Sequence, residues 1–312
     1  MPSSRDVLTP DSLAMLQTIS EQGSFAAAAR QLGLVPSALT YRVRQIEEAL
    51  DVLLFDRRSR HAQPTEAGLE LLREGARLLQ EIDSVAHRVR RVATGWEPQL
   101  SIVVDGVMAR TTMLELVEAF YAGQPPTRLK LRDGILSGTL ETLTSGRADL
   151  AIGVAVDSSN VSGLKTRELG EMEFVFAIAP HHPLAQAAEP ITEAMLVQHR
   201  GIAVADSGLR DNTSVGLLGG QELLTVDSMQ AKIEAQIRGL GCGYLPGPVA
   251  EVYVQAGMLV RRQTTRPART VPLHYAWMET PQQRPGRALQ WWLAQLESPT
   301  TRQALMENHH RH

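Results

Sequence analysis

The pattern of predicted secondary structure changes once along the chain, near residue 95. Residues 8 to about 93 carry the apolar spacing of helices almost throughout, whereas short β-branched runs alternate with helical segments from Gln99 onward. Gly95-Trp96-Glu97-Pro98 lies between the two patterns and breaks a helix. A chain of 312 residues, 43% of them hydrophobic, is long enough for more than one packed core. We therefore expect a helical N-terminal domain and a larger α/β domain.

The composition limits the classes of function. With 34 acidic and 31 basic side chains the net charge is -3, so any nucleic-acid site has to be local. A single cysteine, Cys242, excludes an internal disulfide and a cysteine-based zinc site. The N-terminus lacks the pattern of a signal peptide, and no run approaches the roughly 18 apolar residues of a membrane span. We expect a cytoplasmic protein without membrane contact, metal, cofactor or catalytic residues.

Three helices are predicted before residue 51. Thr9-Pro10-Asp11 begins the first, which Gly23 ends. Ser24 caps a second, alanine-rich helix from Phe25 to Leu32, and Gly33 follows it. Pro36 begins the third, which runs to about Leu50. Two short helices joined by a glycine-bearing turn predict a helix-turn-helix.

A short two-stranded wing and a long helix are predicted next. The wing contains Leu53 to Phe55 and an arginine-rich tip, and the helix runs from Thr65 to roughly Ala93. The helix carries one apolar stripe with steps of three and four residues, formed by Leu72, Gly75, Leu79, Ile82, Ala86, Val89 and Ala93. We expect this stripe to pair with a second copy of the chain; the alternative is that the helix lies on its own domain.

From Leu100 onward, strands and helices alternate in two similar sets, which predicts two α/β halves with ligand space between them. The chain should cross between the halves near Ser162 to Leu169 and again near Thr264 to Thr270.

Several motifs occur in an order that resembles a known family. In the N-terminal part they are Ser24-Phe25, Ala38-Leu39, Ile46-Glu47-Glu48, Leu54-Phe55-Asp56-Arg57 and Thr65-Glu66-Ala67-Gly68. Further along they are Gly146 to Leu150, His182-Pro183-Leu184-Ala185, Gly239-Leu240-Gly241 and Leu245-Pro246. Together they resemble the LysR-type transcriptional regulators over nearly the whole chain.

The resemblance implies an α/β protein with an N-terminal all-α winged helix-turn-helix, a long linker helix and two Rossmann-like subdomains of periplasmic-binding-protein type. We accordingly expect a DNA-binding domain at 1–64, a dimerising linker helix at 65–95 and an effector-binding domain at 96–312. Within the last, subdomain I takes 96–166 and 267–300, and subdomain II takes 167–266.

The DNA-binding residues follow from the resemblance and from how such helices enter the major groove, with their first residues at the base edges. We expect Pro36, Ser37, Thr40, Tyr41, Arg42 and Arg44 on the third helix to lie at the DNA, and Arg57 and Arg58 on the wing to bind phosphates. Family members commonly carry serine, glutamine and proline where this chain has Val35, Pro36 and Ser37, and arginine at the position of Tyr41. We expect a weaker or a shifted base preference from these departures.

The effector residues are expected beyond the carboxyl ends of the strands, where open α/β sheets bind ligands. They are Asp105, Gly106, Val107, Ile135, Leu136, Ser137, Asp206, Ser207 and Ser228. Many relatives carry polar residues where this chain has Ile135 and Leu136. That apolar pair, with Asp105, favours an aromatic or phenolic molecule over a small, highly charged anion.

The expected function is a transcriptional regulator, not an enzyme, that binds double-stranded promoter DNA as a homodimer or homotetramer, with RNA polymerase a candidate partner. A small-molecule effector would shift the population between two arrangements of the subdomains. One alternative is an α/β enzyme or solute-binding protein with a vestigial N-terminal module. A second is a ligand-independent architectural DNA-binding protein.

Overall fold

The structure, a computed structural model, describes residues 3–56, 62–155, 161–208, 218–279 and 284–309, without the side chains of residues 87 and 88. The chain divides into two compact units, residues 1–89 and 90–312. Within the described ranges, no helix has both the length and the apolar character needed to cross a membrane.

The N-terminal unit begins with four helices whose ends follow the local sequence. They are α1 (Ser4–Val7), α2 (Pro10–Gln22), α3 (Phe25–Gln31) and α4 (Pro36–Leu50). The Thr9 hydroxyl accepts the amide of Ser12 at the start of α2, and Ser24 accepts that of Ala27 at the start of α3. Gly23 ends α2 in the left-handed conformation, with φ of 58°. The predicted helix-turn-helix is confirmed.

One apolar cluster holds this unit together. It gathers one face of each helix and the residues around the wing: Val7, Met15, Leu16, Ile19, Ala28, Ala29, Leu39, Val43, Ile46, Leu54, Phe55 and Ala62. Because the small side chains of Ala28 and Ala29 are completely buried, α3 packs closely against its neighbours. The opposite face of α4 is left to solvent.

The wing is fixed at both of its ends. Strands β1 (Phe55–Asp56) and β2 (Gln63–Pro64) pair in antiparallel fashion. The buried Glu47 of α4 accepts the amide of Leu54 at 2.9 Å. Thr65 donates its hydroxyl to the Leu53 carbonyl and accepts the amide of Gly68 at 3.0 Å. A Cβ on Gly68 would lie 2.1 Å from the Leu54 carbonyl oxygen, so only glycine fits.

Helix α5 (Glu66–Thr94) is the predicted long helix, but its exposed stripe differs from the expected one. Leu72 packs against the apolar cluster of the N-terminal unit, and Gly75 is buried beside Leu13. Leu69 is exposed near the start of the helix, and from Leu78 onward the exposed apolar side chains follow at steps of four, three, four and three residues: Leu78, Ile82, Val85, Val89 and Val92. Ile82 and Val89 are the two members that both stripes share. Leu78, Ile82 and Val85, together with Leu8, Pro10 and Leu13, line an apolar groove of about 370 Å³.

Two sets of parallel strands organise the C-terminal unit. Its strands are β3 (Gln99–Asp105), β4 (Arg128–Gly134), β5 (Leu150–Val154), β6 (Leu164–Ile178), β7 (Gly201–Val204), β8 (Leu223–Val226), β9 (Gly243–Pro246), β10 (Val260–Arg261) and β11 (Arg269–Met278). Strand β3 lies between β4 and β5 and is parallel to both. Strand β7 pairs in parallel with β8 and bonds on its other side to Cys242, just before β9. In each subdomain the first strand thus lies between the second and the third, which is a topological switch point.

Helices cover both faces of these strands. They are α6 (Arg110–Ala122), α7 (Ser137–Thr144), α8 (Glu193–Val197), α9 (Met229–Ile237), α10 (Gly247–Gln255), α11 (Arg287–Glu297) and α12 (Pro299–Glu307). The largest cluster, which includes Ile102, Ile152, Tyr275 and Trp292, lies between the strands of subdomain I and α6, α11 and α12. Leu143 of α7 packs on the other face of these strands. The α/β class predicted for this part is confirmed.

The crossings between the subdomains lie inside continuous strands. We expected them near Ser162 to Leu169 and Thr264 to Thr270, but β6 and β11 pair with each other along the whole of β11, from Arg269 opposite Phe174 to Met278 opposite Leu164. Strand β5 pairs with β11 and strand β9 with β6, so one paired ribbon belongs to both subdomains.

Candidate DNA-binding and effector sites

The exposed face of α4 carries the predicted DNA-binding residues. Pro36, Ser37, Tyr41, Arg42 and Arg44 are exposed, and Tyr41 keeps 62% of its surface. At about 100° per residue, Ser37, Tyr41 and Arg44 lie opposite the buried face of the helix, whereas Pro36 and Arg42 lie nearer its edges.

Two of the polar groups on α4 bond within the helix. Thr40, half-buried, donates its hydroxyl to the Pro36 carbonyl at 2.9 Å, and the Tyr41 hydroxyl accepts from Gln45 Nε2 at 3.1 Å. The Thr40 hydroxyl is therefore bonded to the backbone, and Tyr41 is the more exposed of the two side chains.

The start of α4 has no side-chain cap of its own. Its N-cap residue, Val35, is 63% exposed and makes no capping hydrogen bond. A helix N-terminus carries partial positive charge and unpaired amides, which favour an anion such as a DNA phosphate. The two wing residues predicted to bind phosphate, Arg57 and Arg58, lie outside the described residues.

The predicted effector residues gather at the carboxyl ends of β3, β4 and β7. Asp105 ends β3, Ile135 and Leu136 follow β4, and Asp206 and Ser207 follow β7. Met229, at the start of α9, faces Gly106 across the gap between the subdomains, since a Cβ on Gly106 would lie 3.6 Å from Met229 Cβ. The switch points of the two subdomains therefore face each other across one cleft.

Asp105 organises the subdomain I side of the cleft. One carboxylate oxygen accepts the amide of Val107 at 3.1 Å; the other accepts the amide of Leu136 at 3.1 Å and the Thr139 hydroxyl at 3.0 Å. Burial raises the pKa of Asp105 to about 6, and the charge of Asp206 adds to the rise, although the three hydrogen bonds oppose it. Val107 itself is buried in the core, so its contribution to the cleft is the amide bond to Asp105.

Asp206 and Ser207 of subdomain II contact the first turn of α7 in subdomain I. The Asp206 carboxylate accepts the amides of Ser137 at 3.4 Å and Gly138 at 3.2 Å. The Ser207 hydroxyl accepts the Ile135 amide at 3.0 Å and donates to the Ile135 carbonyl at 3.1 Å. We call this arrangement, residues 205–208 against residues 135–138, the cross-cleft contact.

The structure gives Ser228 a structural role at the edge of the cleft. Its hydroxyl caps α9 by accepting the amide of Ala231 at 3.2 Å, and it lies 3.3 Å from an Asp227 carboxylate oxygen. Its predicted contact with an effector stays a prediction.

The sequence analysis missed two glycines of the cross-cleft contact. A Cβ on Gly138 would lie 2.1 Å from Ser207 Oγ, and one on Gly208 would lie 2.2 Å from Ser137 Oγ. Gly138 is the second residue of α7, where glycine costs helix stability unless close packing requires it, so a helix predicted from Ser137 would have given the signal for this position.

Comparisons with known proteins agree with this architecture. A model of bacterial regulatory helix-turn-helix proteins of the lysR family matches residues 10–69, and one of the LysR substrate binding domain matches residues 93–299. The uncharacterised HTH-type transcriptional regulator YeeY of Escherichia coli K12 is 37% identical over 283 residues, which cover 90% of this chain and 91% of the relative. The HTH-type transcriptional activator AllS of Klebsiella pneumoniae is 31% identical over 271 residues, or 86% of this chain and 99% of the relative.

Solved structures share the fold at lower identity. CbnR, a LysR family regulator in complex with its target DNA, superimposes with a TM-score of 0.63 at 17% identity, covering 93% of this chain and 99% of the other. LysG of Corynebacterium glutamicum with its bound effector Arg gives a TM-score of 0.50 at 23% identity, covering 96% of this chain and 99% of the other.

A winged helix-turn-helix joined to a two-part α/β domain with a cleft defines a ligand-responsive regulator of transcription. The chain belongs to the LysR family of transcriptional regulators, with a DNA-binding helix-turn-helix and an effector-binding domain. The resemblance noted in the sequence is confirmed.

Proposed function

We propose that this regulator reads promoter DNA with the exposed face of α4, chiefly through Ser37, Tyr41 and Arg44. The observation that carries the proposal is the uncapped, solvent-exposed start of α4 on a fully packed scaffold. Tyr41 offers a hydroxyl for a base edge and a ring for a thymine methyl. Pro36, Arg42 and Thr40 flank these positions and complete the predicted set.

The proposed phosphate contacts of Arg57 and Arg58 have a direct test. Each contact releases counterions, so the double variant Arg57→Ala/Arg58→Ala should reduce the magnitude of the slope of log affinity against log salt by about 2 for each DNA-bound copy of the chain, or about 4 for a dimer. The control is Arg73→Ala/Arg77→Ala, which removes the same charge from arginines paired with Glu70 and Glu74 on α5. An unchanged slope in the first variant contradicts the role in DNA binding.

We further propose that α5 joins two copies of the chain, as a dimer or within a tetramer. The exposed stripe of Leu78, Ile82, Val85 and Val89 has the alternating steps of a helix-pairing seam. Ile82→Glu should give monomers in light scattering, whereas Gln80→Glu, which places the same charge on the same helix off the stripe, should not. A dimer that survives Ile82→Glu refutes the pairing.

For the effector, we propose an aromatic or phenolic molecule bound between the subdomains. Ile135, Leu136 and Met229 give the cleft apolar, half-buried walls. Two carboxylates, Asp105 and Asp206, lie at the same place, and like charges disfavour a strongly anionic ligand. The proposed ligand binds one arrangement of the subdomains more tightly than the other, and this difference in affinity shifts the population between the two arrangements.

A thermal-shift screen of small aromatic and carboxylic metabolites on the full chain tests the effector proposal. A compound that raises the melting temperature of the wild type should have no effect on Leu136→Asp, while the control Leu114→Asp, on the exposed side of α6, should still respond. A response retained by Leu136→Asp places the ligand elsewhere.

The family consists of transcriptional regulators, and we propose that this chain likewise acts by binding, in the cytoplasm where bacterial DNA lies. RNA polymerase stays a predicted partner.

A further inference from the structure

The effector cleft is bridged by the chain itself. Residues 135–138 follow β4 in subdomain I, and residues 205–208 follow β7 in subdomain II. The Ser207 hydroxyl accepts the Ile135 amide and donates to the Ile135 carbonyl. The backbone amide of Ser207 donates to the same carbonyl at 3.3 Å. With the two bonds to Asp206, at least five hydrogen bonds cross the cleft.

Asp206 supplies acceptors at the first turn of α7, where helix amides lack partners within the helix. It accepts the amide of Ser137 at 3.4 Å, and it shares the amide of Gly138 with the Ile135 carbonyl, which lies 3.1 Å from that nitrogen. The carboxylate also lies where the partial positive charge of α7 favours an anion. Asp206 is held in this pose by the amide of Gly208, 2.9 Å from one of its oxygens.

The steric fit is as specific as the hydrogen bonding. A Cβ on Gly138 would lie 2.1 Å from Ser207 Oγ and 2.7 Å from the Gly208 amide nitrogen. Because both neighbours belong to the opposite subdomain, any side chain at position 138 pushes the two subdomains apart.

We propose that the cross-cleft contact is an internal closure, in which Asp206 and Ser207 hold the two subdomains together in the absence of effector. The inference builds on the proposed function, since it takes the cleft for the effector site. It changes the role of Asp206 and Ser207: they bind α7 of their own chain. A ligand then has to replace the acceptors of the Ser137 and Gly138 amides, and its apparent affinity is reduced by the fraction of closed molecules.

Amide hydrogen exchange in the full chain, resolved to single residues by mass spectrometry, tests the closure without DNA or ligand. Two variants break the contact by different means: Asp206→Ala removes the acceptor, and Gly138→Ala removes the space. In each, exchange at the amides of residues 135 and 137 should rise at least ~10-fold, while α11 keeps the protection of the wild type.

Matched controls isolate the contact. Asp227→Ala removes another carboxylate at a strand end of subdomain II, and Gly219→Ala adds a methyl group where no atom lies within 4 Å. Both should exchange as the wild type does.

The two variants also separate opening from misfolding. Alanine strengthens a helix relative to glycine, so Gly138→Ala does not weaken α7 itself. If Asp206→Ala exchanges faster throughout the unit, Gly138→Ala decides the outcome. Protection at 135 and 137 that persists in Gly138→Ala overturns the proposal. The exchange experiment contains neither DNA nor effector, so that result would contradict the closure and leave the proposed function standing. Failure to bind DNA in a separate assay would contradict the proposed function and leave the closure standing.

Discussion

Helices α4 and α7 both begin without a side-chain cap from their own N-cap residue, Val35 in one and Leu136 in the other. They differ in what meets the first turn. The start of α4 is exposed to solvent, whereas that of α7 receives the carboxylates of Asp105 and Asp206. Unpaired amides and the helix dipole attract an acceptor in both places. In the N-terminal unit the acceptor has to come from another molecule; in the C-terminal unit the chain supplies it.

The largest effect is expected from a change in the packing of the N-terminal unit, which holds α4 with its exposed face toward solvent. Gly68→Ala places a methyl group 2.1 Å from the Leu54 carbonyl oxygen, which is backbone and cannot yield, so the N-terminal unit should lose about 3 kcal/mol or more of stability and with it DNA binding. The first unfolding transition in a chemical denaturation curve of the full chain measures this loss.

Gly75→Ala is the matched control for that variant. The added methyl meets the flexible end of Leu13 at 3.1 Å, and the helix gains propensity, so the net change should stay within about 1 kcal/mol. Equal losses in the two variants would mean that the Leu54 contact does not decide the fold of this unit.

An intermediate effect is expected when the start of α4 is given a carboxylate acceptor, as the start of α7 has. Val35→Asp supplies a capping carboxylate, which should stabilise the helix by about 1 kcal/mol but repel a phosphate, so DNA affinity should fall about tenfold. Melting temperature and a DNA-binding titration at fixed salt measure the two changes. Val35→Asn caps without charge and should keep the affinity. A fall of the same size in Val35→Asn would show that the start of α4 does not face phosphate.

The smallest effect concerns Asp105, whose carboxylate accepts an amide at the start of α7. Because the folded-state pKa of Asp105 is about 6, above the ordinary 3.8, ionisation opposes folding above about pH 6, and the opposition fades as pH falls toward 4. Lowering the pH from 7 to 5 should therefore stabilise the wild type by roughly 1 kcal/mol relative to Asp105→Asn. Denaturation of both proteins at the two pH values gives this difference. Parallel pH profiles would contradict the raised pKa.

The helical half of the fold could be predicted from local signals. Thr9, Ser24 and Pro36 mark helix starts by chemistry that acts within three residues, and the structure begins α2, α3 and α4 there. The sequence analysis predicts no helix at α12, although Ser298 and Pro299 carry the same signal. The first half of β6 was missed because its partner, β11, lies about a hundred residues away.

The candidate site was predicted as a set of positions and not as a set of contacts. The positions follow from strand ends, since parallel strands place their carboxyl ends at the same edge, and in the structure Leu136 and Asp206 lie near Asp105. That Asp206 would bond to Gly138, 68 residues away, depends on the relative placement of two subdomains, which no local pattern encodes.

The ribbon of β6 and β11 limits how the two subdomains can influence each other. Every residue of β11 is paired with β6, so the ribbon cannot lengthen or slide without losing its ladder of hydrogen bonds. Strands β6 and β11 also belong to a seven-stranded sheet, in which β5 pairs with β11 and β9 with β6, so each end of the ribbon is fixed to one subdomain. We therefore expect effector binding to rotate the subdomains about this ribbon, so that angles between them, more than distances, distinguish the two states of the regulator.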